Sequence, residues 1–442
     1  MILNCKPSEW QMDYISQDAV NCDVLVIGAG ASGIPAAIAA ARQGAKVILL
    51  EEDMVPGGAP VDMSVAMLCG GPRVGIFLEM AQRLNKYHNL SGSPVENFVD
   101  GADGRDYWYT PTAYLQVLRE MMRAESNLTL ICGSPVSRVL VSEDGNRRRV
   151  HGVVVDSPGK ASRAYTASIT IDATGTGLIA ELAGCEVQYG RNARSDFNEA
   201  YGPDVADNKV QPCTWMFISQ RLRPDAVFPD EMLGKGLVES NYGWIQKEEK
   251  EVNIRKAGTY LHWGATVVCD DTRDAVALAN AQDEALTKLN PMIKLMQDSG
   301  YIVHLAPKLG VRESRRVMGE AVVTATDLLA SRFPDDTIAH CGFFLDAWGE
   351  HHQLPRTDVL AGIPYGALVP RGTEGLLIAG KSISGTHLAM SAYRVQPIMA
   401  SVGAAAGIAA AMTAKLKTDT RNIPIPELLN HIKLLNNPVK IE

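Results

Sequence analysis

An α/β fold is what this sequence of 442 residues predicts: one Rossmann-like domain, interleaved with a second domain of α+β type. Three observations lead there. Near the N-terminus, a short apolar run ends in a glycine-rich turn and passes straight into an alanine-rich helix. A similar pairing of apolar run and alanine-rich helix returns late, at residues 375–380 and 401–417. Between them, roughly over residues 191–352, the texture is mixed, with tryptophan, proline and glycine throughout.

The run CDVLVIG (22–28) has the continuous apolar character of a strand buried in a parallel sheet. ASGIPAAIAAARQG (31–44) predicts a helix closed by Gly44, with Pro35 tolerated because it falls near the first turn. KVILLEE (46–52) completes a βαβ unit. GIFLEMAQRLNKYH (75–88) and TAYLQVLREMMRAE (112–125) read as helices separated by a polar loop. LTLIC (128–132) is a strand, and the following hairpin turns at Asp144-Gly145. Ala164 to Ala173 is a further strand, ending in ATGTG.

Composition excludes several classes. With 46% hydrophobic and 21% charged residues, the chain is ordinary globular protein. A formal charge of −8 with no Lys/Arg run predicts no nucleic-acid partner. The first twenty residues carry acids where a signal peptide needs an apolar core. The apolar stretches Val24–Ala41 and Val402–Thr413 are short against the ~20 residues of a bilayer span, so a cytoplasmic protein without a membrane is expected. Eight cysteines include no Cys-x-x-Cys pair, which leaves isolated, mostly buried thiols and no metal site. Cys69, close behind the glycine motifs, is the one to watch.

Gly28, Gly30 and Gly33 form GxGxxG between strand and helix. The first permits a tight turn, the second lets backbone approach a pyrophosphate, and the third packs helix on strand. Ala31 and Ser32 stand at the helix N-terminus, whose free N–H groups suit phosphate. Glu51, beside Glu52, ends the second strand 51 − 28 = 23 residues on, where an acid bonds ribose hydroxyls and repels a 2′-phosphate.

Three further features resemble those of proteins that hold FAD in this way. Gly57, Gly58 and Ala59 follow the second strand. Asp172 to Gly175, including Ala173 and Thr174, looks like an ATG motif returning to the first turn. GLLIAG (375–380), ending at Gly380, resembles a late strand beside the flavin, with a helix beginning near Gly403 aimed at the ring. Val136 joins the expected FAD-binding set.

With LGVRESRRVMGE (309–320), IPYGALVPRG (363–372) and the stretch from LLIAGKSISGTH (376–387) to SVGAAAGIAAA (401–411), the chain resembles bacterial FAD-dependent oxidoreductases related to the fumarate reductase and succinate dehydrogenase flavoproteins. The resemblance implies a FAD-binding domain of the glutathione reductase type, in three parts (21–90, 128–190 and 353–420). The rest would be an N-terminal extension (1–20), a helical insertion (91–127), a substrate or cap domain (191–352) and a C-terminal tail (421–442). No second GxGxxG supplies a nicotinamide domain, so the electron donor or acceptor stays open.

A flavin supplies redox chemistry, while the protein positions substrate, balances charge and moves a proton. His387, in SISGTHLAM, suits flavin contact or acid/base work, or else bonds backbone in a tight turn. His352, beside His351 in AWGEHHQLP, is a second acid/base candidate. Arg312 in RESRR would share a helix face with Arg315 or Arg316, forming a clamp for a carboxylate or pyrophosphate, unless it ties the domains together. Arg394 is a substrate anchor or a flavin contact. Trp215, Tyr242, Trp244, Tyr260, His262 and Trp263 wall a pocket or fill the second core. The expected function is hydride transfer between a small organic molecule and FAD, in a chain compatible with a homo-oligomer. The alternative is a FAD-binding electron-transfer subunit of a larger complex.

Overall fold

The computed structural model describes residues 19–88, 107–145, 147–156, 161–232, 238–240, 243–244, 258–350 and 353–437. Strand β1 (Val20–Ile27) is buried on both faces over its last four residues. It pairs in parallel with β2 (Val47–Leu50) on one side, and β2 pairs in parallel with β3 (Leu128–Ile131). The hairpin β4 (Val136–Asp144) and β5 (Arg147–Val155) turns at Gly145, where φ is +59°. Strand β6 (Arg163–Asp172) is shared. Its first residues run antiparallel to β5, its length runs parallel to β1, and its last three run parallel to the late strand β10 (Leu376–Ile378). The ends of β1, β2, β6 and β10 thus open on one edge, the place where parallel sheets bind ligands.

Helix α1 (Gly33–Arg42) packs on this sheet beside the long helix α6 (Gln396–Leu416), which itself lies against β1 and β6. By length and composition α6 could cross a membrane, yet 89% of its apolar stretch is buried inside this protein. Two glycines allow the close crossing. A Cβ on Gly403 would stand 2.0 Å from Ser32 O, and one on Gly407 would stand 2.0 Å from Ala36 O. Gly403 therefore does not open a helix at the flavin, as the sequence suggests. The helix starts two turns earlier, at Gln396, and Gly403 is a packing residue. Gly403→Ala is expected to lower the melting temperature through about 1–3 kcal/mol of overpacking. Helix propensity alone would raise stability by up to about 1 kcal/mol. A thermal melt at or above that of the parent would discard this packing role.

The second domain is a five-stranded antiparallel sheet. It contains β7 (Cys213–Arg221), β8 (Thr259–Val267), β9 (Tyr301–Leu305) and the short strands Val238–Ser240 and Gly243–Trp244. Helix α4 (Ala275–Asp298) covers it, started by Asp274, whose side chain accepts from Ala277 N. Its core holds Trp215, Phe217, Phe228, Tyr260 and Tyr301. The expected cap of residues 191–352 divides differently here. Residues 213–232 and 260–311 build the second core, whereas Val317, Val323, Leu328, Leu345 and Ala347 pack in the larger one.

Two other expected boundaries also shift. Within 91–127, helix α3 (Pro111–Arg123) buries Tyr114, Val117, Leu118 and Met121 in the main core, as a part of it. Within 421–442, helix α7 (Ile425–Leu435) packs on α6 through Leu428.

Candidate active site

The first turn makes a cradle with one open position. Gly28, at φ +98°, has no room for a side chain, because a Cβ would lie 2.6 Å from Ala173 O. Gly33 is closed more tightly still, by Gly28 O at 1.8 Å. Gly30 is different: the nearest atom to its Cβ position is Gly58 Cα, 3.8 Å away. Gly58 in turn has φ +59° and faces Gly30, while Gly57 at φ +132° abuts Val61, and Ala59 opens a short helix. Asp172 organises the ATG turn from below. Its Oδ1 accepts from Thr174 N (3.1 Å) and Thr174 Oγ1 (2.7 Å), and its Oδ2 accepts from Ala180 N (3.0 Å).

Glu51 is buried, and burial raises its pKa, opposed by bonds from Asp53 N and Ala29 N. Glu51, Glu52 and Asp53 hold their carboxylates within 4.8 Å of one another, and Lys308 forms an ion pair with Asp53. The loop leading to Val136 lies against this end, with Ser134 N donating to Glu51 O (2.8 Å) and Gly133 N to Asp53 O (2.9 Å).

These residues fit a dinucleotide flavin. Ser32, 5% exposed at the N-terminus of α1, has an Oγ with no hydrogen-bond partner. Gly380 lies against it, 3.5 Å from its Cβ position to Ser32 Cβ, and the buried Ser382 Oγ is likewise unpartnered. Orphaned hydroxyls around an open glycine are what phosphate and ribityl oxygens satisfy. Gly28, Gly30, Ala31, Ser32, Gly33, Gly57, Gly58, Ala173 to Gly175 and Gly380 are brought to one cradle.

Beyond the cradle, the segments 211–214, 310–316, 346–350 and 380–394 converge. Lys381 donates to Val311 O, Arg316 Nε donates to Gly385 O (3.0 Å), and Gln211 N donates to Glu313 Oε2 (3.0 Å). His387 opens helix α5 (His387–Tyr393), which Thr386 caps by accepting from Ala389 N. Its Nδ1 stands 2.8 Å from Glu313 Oε2, and its Nε2 stands 3.6 Å from Glu350 Oε1, beyond hydrogen-bond length. Burial alone would lower the His387 pKa. Glu313 and Glu350 outweigh it and hold the imidazole up at about 9. Glu313 is fully buried too, and His387 and Arg316 keep it ionised against that burial.

RESRR is not a helix, so its arginines do not form one clamp. Residues 311–315 are irregular and Arg316 enters a short strand, which sends the three side chains apart. Arg316, 1% exposed, bonds Glu313, Gly385 O and Gly190 O. Arg315 pairs with Glu181 at 2.6 Å. Arg312 turns instead to the 211–214 segment, its Nη1 donating to Thr214 Oγ1, and Arg394 of the same convergence is paired with Asp346 at 2.9 Å. His351 and His352 lie outside the described residues. Trp215, Tyr260 and His262 belong to the second core. His262 stacks on Phe217 at 4.1 Å, and burial pushes its pKa down to about 3.

Sequence reading passed over Lys381, Glu350, Asp346, Trp348 and Gln211. Lys381 had a signal, a lone cation directly after a buried strand, while the others meet only through the fold.

The FAD dependent oxidoreductase family matches residues 23–432. Among curated proteins, the tRNA uridine 5-carboxymethylaminomethyl modification enzyme MnmG of Bacillus licheniformis is 31% identical over 191 residues, covering 39% of this chain and 27% of the relative. The Bacillus subtilis enzyme of that name is 31% identical over the same span. The matched stretch is thus little more than a quarter of these relatives' length. Among solved structures, OxyS anhydrotetracycline hydroxylase from Streptomyces rimosus is 14% identical, with a TM-score of 0.43, 95% of this chain and 66% of that one covered. The myxobacterial chondrochloren halogenase CndH is 13% identical, with a TM-score of 0.44, 94% of this chain and 78% of that one covered.

Proposed function

The chain belongs to the FAD-dependent oxidoreductase family, and from that premise we propose that it moves hydride between a small organic substrate and the flavin, with His387 handling the accompanying proton. FAD, when bound, supplies the ring that takes up or releases the hydride. The chain's own residues do the remainder. Gly28, Gly30, Gly33, Gly58 and Ser32 would seat the pyrophosphate, Glu51 the adenosine ribose, and Val136 the adenine end. Gly380 and Ser382 would lie along the ribityl chain. His387 carries the reading: a buried imidazole, held protonated by two carboxylates, stands at the end of the segment that follows the cofactor strand. Its Nε2, without a hydrogen bond, is the nitrogen able to exchange a proton with substrate.

A glutathione reductase-type topology is part of the same proposal, supported by the parallel strands interrupted by the β4–β5 hairpin. Kinship with the fumarate reductase flavoproteins rests on the resemblance of the late segments. The family match favours turnover by this chain over an electron-relay subunit.

The test is an anaerobic screen of small organic compounds, read as bleaching or return of the flavin's visible bands. His387→Gln should retain FAD and slow the productive reaction by about 10²-fold. An unchanged rate would remove His387 from the mechanism. If only a co-purified polypeptide exchanged electrons with the flavin, the relay reading would replace this one.

A stability measurement checks the charge state independently. Because the folded pKa of His387 is raised, its stabilising contribution is complete below its unfolded value of about 6.5 and is lost as pH rises through about 9. Lys381, depressed to about 8, acts in the opposite sense at higher pH. The comparison of parent with His387→Gln therefore isolates the histidine. Their stability difference should shrink above pH 6.5 with a slope approaching about 1.4 kcal/mol per pH unit. A difference that stays constant with pH would mean that His387 is neutral in the fold.

A further inference from the structure

Three cations share one buried neighbourhood between the cofactor strand and the second domain. Arg312 Nη1 donates to Pro212 O (2.7 Å) and Thr214 Oγ1 (2.6 Å), and its guanidinium lies over the Trp348 ring at 4.0 Å. Arg394 Nη2 donates to Asp346 O (3.1 Å) and Asp346 Oδ2 (2.9 Å). Lys381 reaches between them to Val311 O.

The charges do not balance. Asp346 is the carboxylate paired here, and its Oδ2 also accepts from Trp348 Nε1 (3.0 Å). Glu313, nearby, is committed to Arg316 and His387. The Cys213 thiol adds no charge, because burial pushes it up to about 12. Among the described residues, three positive groups against one negative leave an excess of two. The cost shows in the cations themselves. Burial and then the Arg394 charge push Lys381 down to about 8 and Arg312 down to about 9.

The unfilled hydrogen bonds have the same sign. Arg394 Nε is buried without a partner, and so is Nε2 of Gln211, a residue only 1% exposed whose Oε1 faces Trp348 N at 3.4 Å. Both are donors. A buried donor left unmade costs about 1–3 kcal/mol, so two of them beside surplus positive charge call for an acceptor that is itself anionic.

We propose that Arg312, Arg394 and Lys381, with the Gln211 side-chain amide, form a subsite for a carboxylate group of the substrate. This deepens the hydride-transfer reading and rests on it. Two orphaned N–H donors ask for an anionic acceptor, which a carboxylate with two oxygens supplies, and the Arg312 guanidinium, 4.0 Å over the Trp348 ring, brings the planar fork that carboxylates bind. The substrate class is an organic acid, anchored here while its reacting carbon faces the flavin.

Acetate and succinate titrated into the FAD-loaded protein provide the probe. Binding is read twice, from the flavin difference spectrum and from tryptophan fluorescence, with Trp348→Phe assigning the local component. Saturable binding is expected, weakened about tenfold or more in Arg312→Gln and Lys381→Met with FAD content unchanged. Arg312→Lys, which keeps charge but loses the fork, serves if Arg312→Gln does not fold. The proposal is overturned if the carboxylates do not saturate, if phosphate binds equally well, or if the variants bind like the parent. Loss of FAD from folded variants would also overturn it, by making the cluster part of the cofactor's own seat. If the parent itself takes up no FAD, the hydride-transfer reading fails, while fluorescence on the cofactor-free protein still decides the subsite.

Discussion

Gly30→Val folds and does not retain FAD. Among the glycines of the first turn, Gly30 alone has neither a left-handed φ nor a neighbour inside 3.8 Å of its Cβ position. The polypeptide therefore accommodates a side chain there, and what the added methyl groups occupy is the space for the pyrophosphate. Gly33→Val is the control, since its Cβ would meet Gly28 O at 1.8 Å and the βαβ turn could not close. The expected pair is a parent-like circular dichroism spectrum without flavin absorbance for Gly30→Val, and little folded protein for Gly33→Val. Full flavin occupancy in Gly30→Val would place the cofactor elsewhere.

Glu313→Gln should cost more stability than any surface substitution in this chain, about 3–5 kcal/mol. Glu313 is 1% exposed and answers Arg316, also 1% exposed, together with His387 and Gln211 N. Without its charge, two buried cations face each other with Glu350, 3.6 Å from His387, and the buried Glu199 left to compensate. Burial then dominates His387 and its pKa falls. Urea denaturation gives the first number, and the ring protons of His387, followed by NMR through a pH titration, give the second. Glu313→Asp should recover part of both, as a structural role without charge would not predict. Parent-like stability in Glu313→Gln would mean that water already reaches this network.

Much of the architecture was legible because it is local. The strand, turn and helix at residues 22–44 are set by apolar continuity and by glycines whose side-chain positions are filled with backbone. The hairpin at Gly145 and the helix at residues 75–88 follow from turn chemistry and periodicity in the same way. Gly403 misled for an instructive reason. Glycine in an alanine-rich helix signals either a helix start or a close crossing, and only the partner helix, with Ser32 O at 2.0 Å from the Cβ position, distinguishes them.

The candidate site divides along the same line. By itself the sequence determined the glycine turn of GxGxxG, the acid at Glu51 that closes the second strand and the ATG turn, since each sits on one short segment with its own geometry. Only the tertiary structure decided the chemistry beside it. RESRR reads as one cationic motif, yet its irregular backbone sends Arg316 into the Glu313 network, Arg315 to Glu181 and Arg312 to Trp348. The raised pKa of His387 and the incompletely balanced charge of Arg312, Lys381 and Arg394 depend on residues from four distant segments. Charge balance is a sum over neighbours in space, and chain order carries little of it.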